Sequence, residues 1–104
     1  MPHRVRIIKR QNRYTVHPAN LQVQKGEQVN FRVFQSNATV LVPNDLLVDA
    51  AGAVVSAIPL TAGVKSADFT VNSRVPDGAY PYAIYCKDSN DFAEGNSPPT
   101  MIIE

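Results

Sequence analysis

Apolar and polar residues alternate along much of this chain. Over Gln28–Gln35 (QVNFRVFQ), Val29, Phe31 and Val33 fall on one side of an extended segment and Asn30 and Arg32 on the other. That period of two is the mark of a half-buried strand. Arg4–Arg10 (RVRIIKR) repeats it with β-branched residues. Tyr14–Val16 runs extended into His17-Pro18, because a residue before proline avoids the α region. Leu21–Gln24 leads to Lys25-Gly26-Glu27, a tight turn in which Gly26 can take positive φ. Ser36-Asn37 breaks the chain before Thr39–Val42 (TVLV), which runs to Pro43. Ser66–Val71 (SADFTV) sets Ala67, Phe69 and Val71 on one face. Pro76-Asp77-Gly78 is a turn that starts the aromatic strand Ala79–Cys86 (AYPYAIYC), and Thr100–Glu104 (TMIIE) is a final strand.

No helical period lasts beyond two turns. Residues 44–64 are the least regular. There Asn44-Asp45 predicts a cap for a short helical turn over Leu46–Val48, followed by an apolar loop punctuated by Gly52, Pro59 and Gly63. About seven short strands separated by turn signals predict an all-β, antiparallel-rich sandwich. Val29, Phe31, Val33, Phe69, Tyr82 and Ile84 are its predicted inward set. Tyr80 shares the face of Tyr82, and Tyr85 takes the other.

A chain of 104 residues fits one domain, residues 1–104, and is long enough to bury a core without disulfides or metal. With 44% hydrophobic and 18% charged residues it is globular in composition. No apolar run reaches the roughly 18 residues of a membrane span. The basic N-terminus lacks the apolar stretch of a secretory signal, so the expectation is a cytoplasmic protein or a trimmed exported domain. The single cysteine leaves the compartment open.

Net charge is +1, which gives no global pull toward nucleic acid or membrane. The distribution is uneven. Arg4, Arg6, Lys9, Arg10 and Arg13 crowd one end, and Asp77, Asp88, Asp91, Glu94 and Glu104 the other. The plainer expectation is that the two ends neutralise each other in the fold; a basic docking patch is the alternative. Nucleic acid is disfavoured, because Tyr14 is the one aromatic in the basic segment.

Four segments carry a family resemblance. Leu21–Val33 (LQVQKGEQVNFRV), Asn37–Pro43 (NATVLVP), Asp77–Cys86 (DGAYPYAIYC) and Thr100–Glu104 together resemble the cupredoxin-like domain, the Greek-key sandwich of plastocyanins and their relatives. The resemblance implies a copper thiolate at Cys86 and a first histidine at the position of Ala38. It also implies a second histidine after Cys86, where this chain has none, and an axial methionine that Met101 matches only by lying after the cysteine. A type 1 copper site needs one thiolate and two imidazoles. His3 and His17 are the only histidines, both near the N-terminus, and are expected to be lone exposed imidazoles. The expectation is therefore a cupredoxin-like module without copper. A copper or electron-transfer protein with atypical ligands, Cys86 and Met101 among them, is the alternative.

Other chemistry is sparse. Cys86 is expected to be a small, half-buried strand-end residue; a reactive thiol would want a base nearby. Asp88, Asn90, Asp91 and Glu94 gather hard oxygens, but without the glycine spacing of a Ca²⁺ loop. No paired carboxylates, Ser/His/Asp set or phosphate-binding glycine loop supports an enzyme. The expected function is non-catalytic binding of a protein partner or scaffolding. The loop Lys87–Pro99, with Phe92 flanked by Asp88, Asp91 and Glu94, forms the candidate contact surface together with the neighbouring Ser36–Ala38 turn and its Asn37, with a basic surface as the complement. The competing expectation has Phe92 folding back to plug the vacant site region.

Overall fold

The computed structural model describes residues 2–11, 13–43, 45–88, 90–93 and 98–104. Thirteen strands occur among them. The first four are β1 (His3–Arg10), β2 (Arg13–His17), β3 (Asn20–Val23) and β4 (Gln28–Val33). The middle of the chain supplies β5 (Ala38–Leu41), β6 (Leu47–Val48), β7 (Val54–Val55), β8 (Ala57–Leu60) and β9 (Phe69–Val71). The last four are β10 (Gly78–Pro81), β11 (Ala83–Cys86), β12 (Asp91–Phe92) and β13 (Thr100–Ile103).

One sheet has the order β2-β1-β4-β9-β6-β7. Facing it are a three-stranded sheet, β10-β13-β3, and a four-stranded sheet, β12-β11-β5-β8. The run Gly78–Cys86 belongs to both smaller sheets. Pro81 has no N–H to give, and at Tyr82 the chain changes neighbours, with the Tyr82 N–H donating to Pro99 O at 2.9 Å. The single aromatic strand expected there is therefore two strands in tandem.

The inner faces form one core. Val29, Phe31, Val33, Phe69, Tyr82 and Ile84, the predicted inward set, are all buried in it, with Val5, Ile7, Val40, Met101 and Ile103. The Phe31 and Tyr82 rings meet edge to face at 6.1 Å. Tyr80 is half-buried against this core, and its hydroxyl donates to Pro76 O. Beyond the reach of β9, the loop before it covers the edge of β4. Gly63 N–H donates to Val33 O, Ser66 N–H donates to Phe31 O, and Phe31 N–H donates to Ser66 Oγ. Backbone groups that would otherwise be buried without partners are satisfied in this way.

Some expectations are corrected. Leu46–Val48 is not a helical turn: Leu47 and Val48 pair with β9 on one side and with β7 on the other. The hairpin closes on Asp49, whose Oδ1 accepts from Ala51 N–H and Ala53 N–H, with Gly52 at φ 84°. The expected cap residue Asn44 lies outside the described residues. Ser66–Val71 shortens to Phe69–Val71, and Ala67 is exposed, because residues 63–66 are drawn alongside β4. Asn30 is buried rather than solvated, its Nδ2 donating to Asp68 Oδ1 at 2.9 Å. The His17–Pro18 peptide bond is cis.

Candidate functional site

Cys86 ends β11 and sits between two strands. Across one side its register partner is Ala38 of β5; across the other it is Asp91 of β12. Cys86 is fully buried, not half-buried as expected, and Ala38 is buried beside it. The next residues cross back over the strand end. Lys87 N–H donates to Asn37 O at 3.0 Å, and Asp88 N–H donates to Ser36 Oγ at 3.1 Å. Ser36 is itself buried and donates its hydroxyl to Asn37 O. Asn37 Oδ1 accepts from Ala62 N–H, so the Asn37 side chain is committed to the next loop.

From the facing sheet, Tyr14 reaches the same end. Its hydroxyl donates to Asp88 Oδ2 at 2.6 Å. Lys9, the register partner of Tyr14, lies 3.8 Å from that carboxylate oxygen, with its Nζ 5.7 Å from the centre of the Tyr14 ring. Burial and the Asp88 carboxylate push the Tyr14 phenol up to about 12; a contact with Ser36 pulls the other way. Burial, then the negative charges of Asp88 and Asp91, push the Cys86 thiol up to about 11. Both carboxylates oppose the thiolate that a metal or a nucleophilic reaction requires.

The other candidate ligands lie elsewhere. Met101 is buried in mid-strand, in register with Tyr80 and Leu21. Tyr80 is six residues from Cys86 along the same run, about 20 Å at the rise of an extended chain. His17 is three residues beyond Tyr14 on β2, about 10 Å farther from the Cys86 end. His3 lies six residues before Lys9 on β1, again about 20 Å away. Neither imidazole is lone and exposed. Both are half-buried, His3 Nε2 lying 3.2 Å from Glu27 Oε1 and His17 Nε2 2.9 Å from Thr15 Oγ1. Glu27 also accepts from Gln24 N–H, and these bonds hold its carboxyl below the usual range. Among the described residues no group of three or more His, Cys, Asp or Glu is placed to hold a metal ion. The hard oxygens of the loop are engaged by protein partners: Asp88 by Tyr14 and Lys9, and Asn90 by the Tyr85 hydroxyl. Glu94 lies outside the described residues.

The second feature of this end is apolar. Tyr85 and Phe92 are cross-strand partners whose rings meet edge to face at 5.3 Å. Phe92 stays 46% exposed, so it points outward instead of plugging the region around Cys86. Tyr85 pairs with Thr39, Ala83 with Leu41 and Thr39 with Pro59, which extends one outer sheet face without a charged side chain in these rows. Leu41 is exposed on it. Sequence reasoning placed Phe92 and the Ser36–Ala38 turn here but missed Leu41, Tyr85 and Tyr14. A buried tyrosine hydroxyl must find a partner, which was the one clue to Tyr14; the partner is 74 residues away.

No protein-family model matches the chain, and no curated protein matches it. Solved structures do. A mutant of amicyanin in its reduced Cu(I) form at pH 4 aligns with TM-score 0.56 at 14% identity, over 99% of this chain and 82% of that one. A purple cupredoxin from Nitrosopumilus maritimus aligns with TM-score 0.59 at 15% identity, over 98% of this chain and 99% of that one. A second amicyanin mutant, also reduced, gives TM-score 0.56 at 12% identity, over 100% of this chain and 85% of that one. At these identities the likeness is one of fold: the chain is a cupredoxin-like β-sandwich.

Proposed function

We propose that this protein is a non-catalytic, cupredoxin-like binding module without a type 1 copper centre, which engages a protein partner through the Cys86 end and the adjoining sheet face. The pairing of Ala38 with Cys86 carries the reading. Where the resemblance would set the first imidazole, a methyl group faces the thiol. The chain's two histidines stand on strands of the facing sheet, away from that thiol, and Met101 lies far along another strand. These residues do not fit a trigonal site of one thiolate and two imidazoles. The raised thiol and its two flanking carboxylates support the same reading.

Binding is supported by the outer face. Exposed Phe92 and half-buried Tyr85 form an aromatic pair, exposed Leu41 extends it, and the carboxylates of Asp88 and Asp91 lie at the same strand end. An apolar anchor inside a polar rim is the arrangement that protein interfaces favour, and the acidic rim calls for a basic partner surface.

The second reading is a copper protein with atypical ligands including Cys86, and the likeness to amicyanin in a Cu(I) form favours it. Titrating the reduced protein with Cu(II) separates the two. The module reading expects no intense thiolate-to-copper absorption and no stoichiometric copper after purification. A stable blue or purple band that disappears in Cys86→Ser overturns it and establishes the second reading.

A further inference from the structure

We infer that the outer face of the six-stranded sheet is a docking surface for a short, carboxylate-rich segment of a partner protein, centred on Arg4 and Arg6. This face lies on the opposite side of the sandwich from Phe92, and the inference does not depend on the reading of the Cys86 end.

Alternation along β1 turns Arg4, Arg6 and Arg10 outward, away from buried Val5 and Ile7. Register then lines up basic side chains from the neighbouring strands. Arg6 has His17 on one side and Arg32 on the other, and Arg10 stands opposite Arg13. The stripe follows β1 for about 20 Å.

Two observations set this stripe apart from an ordinary solvated face. Like charges placed directly opposite on neighbouring strands destabilise a sheet, and this one keeps Arg6 with Arg32 and Arg10 with Arg13. Moreover, no acid among the described residues offsets that cost. The ion pairs there are His3–Glu27, Lys9–Asp88 and Lys25–Asp77, and none involves an arginine. Among the described residues, the expected mutual neutralisation of the two chain ends thus comes down to Lys9 and Asp88. Asp68, which accepts from Asn30, the register partner of Arg4, makes none of these ion pairs.

Part of the stripe is also concave. Arg4, Arg6, His17 and Pro18 line a cleft of about 540 Å³. Arg32 is held in place beside it, donating to Gly63 O at 3.0 Å with its guanidinium 4.9 Å from the Phe34 ring centre. Guanidinium groups match carboxylates in a bidentate fork. A long nucleic acid is the poorer fit. Phe34, the exposed aromatic here, is already stacked on by Arg32, which leaves it a poor platform for bases. The net charge of +1 gives an extended polyanion no global attraction, and the acidic C-terminal third would repel it, whereas a short acidic segment meets the stripe alone.

The test is fluorescence anisotropy of a dye-labelled oligoglutamate peptide with the full chain. A single-stranded oligonucleotide of equal charge runs in parallel. The peptide should bind at low salt and weaken as salt rises. Arg4→Glu and Arg6→Glu should each weaken it about tenfold or more, the loss of one charge-assisted contact plus the new repulsion. Arg74→Glu, an exposed position outside the stripe, should change nothing. Arg6→Glu should also hold or raise the thermal midpoint, since it replaces a repulsion by an attraction to Arg32, and this keeps a binding loss from being mistaken for unfolding. The inference is overturned if the peptide does not bind at low salt, if the reversals leave its affinity intact, or if the oligonucleotide binds more tightly than the peptide.

Discussion

Cys86 and Ala38 stand directly opposite each other across β11 and β5, a thiol beside a methyl group, both buried. The thiol therefore has a packing role in a region whose charges, Asp88 and Asp91, oppose its ionisation. At pH 8 a thiol raised to about 11 is ionised in roughly one molecule in a thousand. The native protein should react with a disulfide reagent such as DTNB orders of magnitude more slowly than the urea-unfolded chain. Rapid stoichiometric release of the chromophore under native conditions would show an accessible, activated thiol instead.

Alkali should destabilise the fold in a defined window. Cys86 is raised from 9.0 to about 11 and Tyr14 from 10.0 to about 12. Folding favours the protonated form of each. Their contributions are thus complete below pH 9 and 10, and are lost as pH climbs through the folded values. Each shift of about two units corresponds to at most about 3 kcal/mol. Urea midpoints measured from about pH 8 to about pH 12 should fall over this range. Tyr14→Phe should lose some stability at neutral pH, where the bond to Asp88 is missing, and show a shallower fall above about pH 10.

Phe31 is fully buried at the centre of β4 and meets Tyr82 edge to face. Phe31→Ala should cost about 3–5 kcal/mol, read as a lowered denaturant midpoint with an unchanged slope. An unchanged midpoint would contradict this burial.

Phe92 is the contrasting case. At 46% exposure it contributes mainly its edge-to-face contact with Tyr85. Phe92→Ala should cost no more than about 1.5 kcal/mol. Binding of a partner at this end should nevertheless fall sharply, as it does when a central aromatic anchor is truncated. A loss of several kcal/mol would mean that Phe92 is a core residue.

The parts of the fold that could be read from the sequence are those where alternation runs long enough to count. β1 and β4 show it plainly, and Val5, Ile7, Val29, Phe31 and Val33 are buried as that pattern requires. β6 and β7 have two residues each, too few for any period, and exist because β9 and each other supply the hydrogen bonds. The split at Tyr82 was marked by Pro81, but the neighbour that replaces the lost partner, Pro99, is set by topology. At the candidate site the pairing of Ala38 with Cys86 follows the order of the family-like segments. The meeting of Tyr14 with Asp88 does not, because two chain ends from different sheets come together there. The basic stripe was visible as composition; only the register revealed that Arg6 faces Arg32 rather than an acid.

β13 lies in the middle of its sheet, with β10 antiparallel on one side and β3 parallel on the other. During synthesis β3 is made about eighty residues before the strand that pairs with it, and β10 about twenty before. A ribosome that has not yet released residues 100–103 carries a chain with both of those flanks bare, and bare strand flanks recruit other chains. The closing of this sandwich accordingly waits for β13, and pairing with neighbouring nascent chains is the hazard it must outrun.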